Sequence, residues 1–344
     1  MFFASDNSGP MHPSVAQAMM AADTGYAPSY GDDPIMDQVR ADIRAMFEAP
    51  DAAVYLVSTG TAANALGLAT LTAPWQTVFC TPLAHINVDE CHAPEFYTGG
   101  AKLTLVGDDD KMTPDQLRAA IEGWTHGDVH TSQRGPVEIT QVTEMGHLYS
   151  LEELSALTSV AREYGLPCFL DGARFANAVM ALGCTPAEMS WKAGIDALSF
   201  GGTKNGCAGV EAVIFFDPGK AWEFELRRKR AAHLVSKHRY LSAQMQGYLA
   251  DDTWRVAAQA ANDNAAYLVA GLKTIEGLTF LAEPQAKMIF ATLPRRTHQR
   301  LHDAGAVYGL WGSLDGDPDA PIKMRLVCDW SITHAQIDAF INAA

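Results

Sequence analysis

Residues 196–206 read DALSFGGTKNG. The apolar run ends at Phe200, and a glycine-rich turn that carries Lys204 follows at once. This pattern predicts a buried strand that places a lysine at the edge of the core, because glycines allow a close approach of backbone or ligand. Burial lowers the pKa of a lysine toward the range in which the amine forms imines. The alternative is a flexible turn that carries an ordinary lysine.

Residues 167–174 read PCFLDGAR, so a second apolar run ends at Asp171, and Arg174 follows three positions later. Ligands of open α/β sheets bind at the carboxyl ends of the strands. A carboxylate there holds the nitrogen of a pyridine ring protonated, and a nearby arginine binds a substrate carboxylate through two hydrogen bonds. The alternative is that Asp171 caps the next helix.

Residues 58–64 read STGTAAN between a predicted strand and a predicted helix. Gly60 and Thr61 would present free N–H groups and the positive end of the helix dipole to a phosphate group. The stretch lacks the lysine of a P-loop, and the chain has no G-x-G-x-x-G fingerprint, so ATP and NAD have little support as ligands. The alternative is an ordinary helix cap.

His85 follows a predicted strand and is placed to stack on a flat ring; the alternative is an ordinary surface or core histidine. A metal site made of His85, Asp89 and His92 is not favoured, because the spacing matches no standard zinc signature. An imine-forming lysine, a pyridine-binding acid, a phosphate site and a ring-stacking histidine together meet the requirements of pyridoxal-5′-phosphate (PLP). We therefore predict a PLP enzyme with Lys204 as the Schiff-base lysine and no metal.

Predicted strands alternate with helical patterns, which indicates an α/β fold with a largely parallel sheet. The predicted strands cover residues 53–57, 77–80, 103–106, 137–140, 167–170, 196–200 and 210–216. Asp33 before Pro34, and the capping box at Ser150, predict two helix starts. After about Tyr248 we expect a helix over 262–273 and strands over 288–293 and 323–327. This predicts a large PLP-binding domain over 1–248, with segment 1–13 near the active site, and a smaller α/β domain over 249–344.

Composition restricts the partners and the compartment. The chain has 344 residues, 48% of them hydrophobic, and a formal net charge of −15. Such an acidic surface disfavours nucleic acid as a partner. We identify no signal peptide and no apolar run long enough to span a bilayer, so we expect no membrane association. The six cysteines are scattered, which is typical of reduced thiols in a cytoplasmic protein.

Several of these motifs occur together in one known family. They are YGDDP at 30–34, STGTAAN at 58–64, AH at 84–85, DGAR at 171–174 and SFGGTKNG at 199–206. The chain resembles the low-specificity L-threonine aldolases from about Ser5 to about Arg325. The resemblance implies the aspartate-aminotransferase-like fold (PLP fold type I). It also implies cleavage of L-threonine, L-allo-threonine or similar β-hydroxy-α-amino acids, phenylserine among them, to glycine and an aldehyde.

The resemblance assigns the cofactor contacts residue by residue. Lys204 would carry PLP as a Schiff base, Asp171 would pair with the ring nitrogen, and His85 would stack on the ring. Gly60 and Thr61 would hold the phosphate group.

The resemblance also assigns residues to the substrate. Arg174, Arg325 and Ser5 would bind its carboxylate, Tyr30 would line its site, and Arg174 would also contact the cofactor. Arg239 is a further phosphate candidate, on a looser match.

One departure from the family concerns His147. Residues 144–149 read EMGHLY where many members have ENTHNG, so His147 keeps its place among changed neighbours. The general base is then His85, His147 or a water molecule that one of them holds.

The alternatives to an aldolase are another fold type I PLP enzyme (an aminotransferase, a racemase or a β-eliminating lyase) and a non-catalytic homologue. A nucleotide-binding oxidoreductase lacks its glycine fingerprint. The resemblance implies a homo-oligomer, either a dimer or a tetramer.

Overall fold

The computed structural model describes residues 1–344 and contains a seven-stranded sheet. Its strands are β1 Ala53–Val57, β2 Gln76–Cys80, β3 Lys102–Leu105, β4 Gln133–Thr140, β5 Cys168–Gly172, β6 Ala197–Gly201 and β7 Glu211–Phe215. They lie in the order β1-β7-β6-β5-β4-β2-β3. Strands β2 to β6 pair in parallel, whereas β7 is antiparallel to both β1 and β6. The predicted α/β fold with a largely parallel sheet is confirmed.

Helices cover both faces of this sheet, and every residue of β1, β5, β6 and β7 is therefore buried. The helices are α1 Pro13–Ala22, α2 Pro34–Met46, α3 Gly60–Leu71, α4 His85–Val88, α5 Ala93–Thr98, α6 Pro114–Glu122, α7 Leu151–Glu163, α8 Phe175–Leu182, α9 Ala221–Arg230, α10 Arg239–Leu249, α11 Thr253–Leu272, α12 Arg295–Asp303 and α13 His334–Ala343. Helix α3 packs on the sheet and under α5 and α9, so even its polar Asn64 is buried.

The predicted helix starts are confirmed. The Asp33 carboxylate accepts a hydrogen bond from the backbone N–H of Met36 at the start of α2. Ser150 and Glu153 form a reciprocal capping box at the start of α7. Helix α11 begins at Thr253, nine positions before the predicted start at residue 262.

A second, four-stranded antiparallel sheet lies C-terminal to residue 248, in the order β10-β11-β9-β8. Its strands are β8 Thr279–Phe280, β9 Met288–Pro294, β10 Gly309–Trp311 and β11 Pro321–Val327. The N-terminal segment joins this part of the chain: Phe3 is buried there, donates to the Val307 carbonyl and accepts from the Val327 N–H. This attachment carries Asp6 toward the large sheet.

The two sheets meet in the largest of three hydrophobic clusters, and most apolar residues of the second sheet form a cluster of their own. Met288 and Val327 of the second sheet belong to the same apolar cluster as Phe200 and Tyr248. The domain boundary at 248/249 stays a prediction. No helix of the chain has both the length and the apolar character required to cross a bilayer.

Candidate active site

Lys204 and Asp171 lie at the carboxyl ends of adjacent parallel strands. Asp171 is the fourth residue of β5, and Lys204 lies in a short 3₁₀ turn directly after β6. Two glycines allow this turn to approach its neighbours: a Cβ atom at Gly201 would lie 2.5 Å from the Ala173 carbonyl oxygen, and one at Gly202 would lie 2.8 Å from that of Val210. Burial, and next the charge of Arg174, lower the pKa of Lys204.

Asp171 is fixed by two hydrogen bonds. Its Oδ1 accepts from the backbone N–H of Ala173 at 2.9 Å, and its Oδ2 accepts from Asn64 Nδ2 at 2.7 Å. The side chain is buried, and the following helix, α8, has no side-chain cap. Asp171 is therefore held at the strand edge and does not serve as the cap of that helix.

Asn64 joins Asp171 to a histidine–glutamate pair. Asn64 Nδ2 also donates to Glu90 Oε1 at 2.9 Å, and the same oxygen lies 2.8 Å from His85 Nδ1. The hydrogen bond with Glu90 is the largest cause of a raised pKa for His85. Burial raises the pKa of Glu90. The sequence prediction included His85 but missed Glu90, and it assigned no role to Asn64.

Two further buried carboxyl groups lie around this network. Burial raises the pKa of Glu138 well above its ordinary value and that of Glu144 to about 7. Glu144 Oε1 accepts from the backbone N–H of His85 at 2.8 Å, so it fixes the start of α4. The negative charge of Asp171 also raises the pKa of Glu138 and of Glu144. The three carboxyl groups therefore lie close enough to interact electrostatically.

The N-terminus of α3 supplies free N–H groups at the same edge. Thr59 caps the helix by accepting from the backbone N–H of Ala62 at 3.2 Å. The N–H groups of Gly60 and Thr61 make no hydrogen bond within the chain, and a Cβ atom at Gly60 would meet open space. Such a helix start offers donors and a positive dipole end to a phosphate group.

Arg174 reaches the N-terminal segment. Its Nε and Nη2 donate to the two carboxylate oxygens of Asp6, at 2.8 and 3.2 Å. Arg325 Nη2 donates to the Ala4 carbonyl at 3.1 Å, while its Nε is buried without a partner. Ser5 Oγ accepts from the backbone N–H of Asn7, so its recorded contact is local. The two arginines predicted for a carboxylate thus converge beside residues 4–6.

His147 has a carboxylate partner of its own. Its Nδ1 lies 3.0 and 2.9 Å from the two oxygens of Asp110, and Thr143 Oγ1 also donates to that carboxylate. Asp110 is buried, and the His147 side chain is one-quarter exposed. The sequence prediction missed Asp110.

Arg239 and Tyr30 make no side-chain hydrogen bond with this group of residues. Arg239 Nη1 donates to the carbonyl oxygens of Thr24 and Gly25, so the guanidinium holds that loop. The ring of Tyr30 is 45% exposed and lies under the Lys229 ammonium, 4.8 Å away. Their roles at the cofactor phosphate and the substrate stay predictions.

The chain is similar to known proteins over nearly its whole length. The family model described as beta-eliminating lyase matches residues 3–294. The chain belongs to the beta-eliminating lyase family. It is 38% identical to a low specificity L-threonine aldolase of a Pseudomonas species, covering 97% of this chain and 94% of the relative. It is 40% identical to that of Pseudomonas aeruginosa, covering 95% and 92%.

A solved threonine aldolase structure from Leishmania major matches this beta-eliminating lyase with a TM-score of 0.91 and 25% identity. The match covers 99% of this chain and 97% of that one. The predicted family resemblance, the fold type and the lyase class are confirmed. The beta-eliminating lyase family and the threonine aldolase neighbour depend on PLP, which confirms the predicted cofactor.

The donor set of this beta-eliminating lyase fits PLP. The lowered pKa of Lys204 suits an amine that reacts with the aldehyde of PLP. The buried carboxylate of Asp171 suits a protonated ring nitrogen. The free N–H groups at the start of α3 suit a phosphate group. Lys204, Asp171, Gly60 and Thr61 would therefore hold the cofactor, with His85 against the ring. No cluster of three or more histidine, cysteine or acidic side chains is arranged to bind a metal ion.

Proposed function

We propose that this chain cleaves L-threonine, L-allo-threonine and related β-hydroxy-α-amino acids, phenylserine among them, to glycine and an aldehyde. The observation that carries the proposal is the placement of Lys204 and Asp171 on adjacent parallel strands, with Arg174 at the same edge. The names of the full-length relatives support it. When bound, PLP supplies an electron sink for the electron pair released at Cα.

The side chains of the chain divide the remaining work. Lys204 holds the cofactor. Because its pKa is lowered, its side chain supplies the unprotonated amine that forms an imine, and no strong base is required to deprotonate it. Asp171 stabilises a protonated ring nitrogen, since Asn64 and the Ala173 N–H fix its orientation. Arg174 and Arg325 bind the substrate carboxylate. This contact orients the substrate and so determines which bond of its Cα atom is broken.

The proton of the β-hydroxyl group requires a base. His85 and His147 each have Nδ1 bound by a carboxylate, which leaves Nε2 as an acceptor in the neutral ring. A histidine stacked on the cofactor presents its face to the ring. We therefore favour His147 as the base, acting directly or through a water molecule, with Asp110 as its positioning residue.

The test is an incubation of the PLP-loaded protein with L-threonine or phenylserine and no 2-oxo acid. The proposal expects glycine and aldehyde in equal amounts, and no product from Lys204→Ala. Lys192→Ala is the matched control, since Lys192 pairs with Glu48 on the surface. Release of ammonia and a 2-oxo acid would indicate β-elimination. Formation of a D-amino acid would indicate a racemase, and turnover only with an added 2-oxo acid would indicate an aminotransferase. A protein that binds PLP without any turnover would be a non-catalytic homologue.

We also propose a homo-oligomer, a dimer or a tetramer. Phe96 on α5 and Trp222 on α9 are 77% and 68% exposed. The two helices are adjacent, because Arg227 of α9 donates to the Tyr97 carbonyl. Exposed aromatic side chains of this kind support an interaction surface. Light scattering after gel filtration should give two or four times the chain mass of 37.1 kDa.

A cytoplasmic location is the remaining proposal. All six cysteines are free thiols, as is usual in a reducing compartment. Cell fractionation with an antibody against the chain would test it.

A further inference from the structure

Lys287 is a fully buried lysine that the proposed function leaves unused. It directly precedes β9, and its side chain is 1% exposed. Its Nζ donates to the carbonyl oxygen of Lys204 at 2.8 Å and lies 3.1 Å from Asp6 Oδ2. A buried ammonium group is costly unless it is paired, so this position in the fold requires an explanation.

The Asp6 carboxylate contacts two cations. Its Oδ2 lies 3.1 Å from Lys287 Nζ and also accepts from Arg174 Nε, and its Oδ1 accepts from Arg174 Nη2. Burial opposes the charge of Asp6, but the charges of Arg174, Lys287 and Lys204 outweigh it and hold the pKa of Asp6 well below its ordinary range. Asp6 is therefore an anion in the folded chain.

The geometry of Arg174 leaves room for a second carboxylate. Asp6 occupies the edge formed by Nε and Nη2, and Nη1 makes no hydrogen bond within the chain. A guanidinium has five N–H donors, and its outer edge binds a carboxylate through two parallel hydrogen bonds. The same arginine is then shared by Asp6 and an incoming carboxylate, and those two anions repel each other.

We infer that Lys287 is a positioning residue that neutralises the Asp6 carboxylate, so that the positive charge of Arg174 stays available to the carboxylate of the substrate. This rests on the proposed function, and it deepens the carboxylate site that Arg174 and Arg325 form. Burial lowers the pKa of Lys287, and the contact with the Asp6 carboxylate opposes that shift and favours the ammonium form. Lys287 and Asp6 then form a neutral pair, and Arg174 and Arg325 keep their charges for the substrate carboxylate. Without the ammonium, Asp6 would neutralise Arg174 on its own.

The rival explanation is purely structural: Lys287 would tie the N-terminal segment to the turn that holds Lys204. If Lys287 had only that role, its replacement would lower the stability and the PLP content of the protein. It would weaken the binding of a ligand with a carboxylate and of a neutral ligand to the same extent. Glycine and glycinamide both carry an α-amine, and only glycine carries a carboxylate. Because the amine of glycinamide is less basic, each ligand is compared between the natural chain and the variants at one pH. Their affinities for the PLP-loaded full chain, measured from the change in cofactor absorbance, therefore separate the two explanations without any turnover.

Lys287→Met removes the charge and keeps an unbranched side chain. We expect it to weaken glycine binding about tenfold and to change glycinamide binding by less than about threefold. The double variant Asp6→Asn, Lys287→Met removes both charges, and we expect it to bind glycine within about threefold of the natural chain. This second variant also keeps the test available if the single variant does not fold.

Equal losses for glycine and glycinamide, or no loss for either, would overturn the inference. A double variant that loses glycine binding tenfold and keeps glycinamide binding would also overturn it. If the natural chain bound both ligands alike after correction for the fraction of unprotonated amine, the carboxylate site itself would be wrong. If both variants bind as expected but the natural chain does not cleave L-threonine, the proposed function would be overturned and the role of Lys287 would remain supported.

Discussion

His85 Nδ1 lies 2.8 Å from Glu90 Oε1, and through Asn64 the same glutamate is connected to Asp171. One amide group therefore bridges the acid predicted for the cofactor nitrogen and the acid that orients the predicted stacking histidine. A carboxylate bound to Nδ1 fixes the tautomer and the orientation of an imidazole ring. The position of His85 thus depends on Glu90, a residue that the sequence prediction did not include in the cofactor site.

Glu90→Gln should lower the pKa of His85, because the hydrogen bond with Glu90 is the largest cause that raises it. An NMR titration of the cofactor-free protein with ¹³C-labelled histidine measures this, with His85→Asn to assign the signal. Glu95→Gln is the matched control, since it breaks a similar pair with the exposed His92. A His85 titration that is identical in Glu90→Gln and the natural chain would contradict the prediction.

Asp110→Asn should lower kcat about 100-fold and change KM by less than about threefold, because a base whose tautomer is no longer fixed is a poorer proton acceptor. Steady-state kinetics with L-threonine measures both constants. The control is Asp109→Asn, the same substitution at the neighbouring position, whose side chain bonds only a backbone N–H. A kcat close to that of the natural chain would show that the Asp110 carboxylate does not position the base.

The strand predictions succeeded where the signal was local. The buried strands β1, β5, β6 and β7 contain short apolar runs, and such runs are visible in the sequence. Strand β4 begins at Gln133, four positions before the predicted run at 137–140, because its first residues are polar. Lys204 and Asp171 were predicted together because both follow such runs, and the parallel pairing of β5 and β6 brings those ends to one edge. The start of α11 was missed although Asp252, directly before it, is a residue type that favours the N-cap position. In the structure Asp252 has a left-handed backbone and its side chain does not cap the helix.

The partners of the site residues could not be predicted, because tertiary folding alone brings them together. Asp110 and His147 are 37 positions apart, and Asp6 and Arg174 are 168 apart. Acidic residues are common in this chain, and their spacing does not show which of them is buried beside a histidine or an arginine. Burial, which depends on the packing of both sheets, selects these partners.

Asp171→Asn should reduce kcat by about 1,000-fold while PLP stays bound, because a neutral amide does not stabilise a protonated ring nitrogen. Cofactor absorbance measures the bound PLP, and aldehyde release measures turnover. Asp263→Asn is the matched control, since this aspartate lies on the surface of α11 and accepts only from Gln259. Near-normal turnover with PLP bound would show that another group holds the ring nitrogen.

Glu211 predicts the pH dependence of stability. It is buried beside Lys204, its Oε2 accepts from the Gly202 N–H at 2.9 Å, and burial raises its pKa from 4.5 to about 7. The folded chain therefore binds the proton of Glu211 more tightly than the unfolded chain, and the resulting stability is lost as the pH rises from about 4.5 through about 7.

The variant Glu211→Gln keeps an acceptor for the Gly202 N–H and does not ionise. Between about pH 4.5 and pH 8, the free energy of unfolding of Glu211→Gln should rise relative to the natural chain by about 3 kcal/mol. Urea unfolding of the cofactor-free proteins at both pH values measures this difference, and Glu276→Gln controls for the loss of an exposed negative charge. A relative stability that does not change with pH would mean that Glu211 ionises as easily in the folded chain as in the unfolded one.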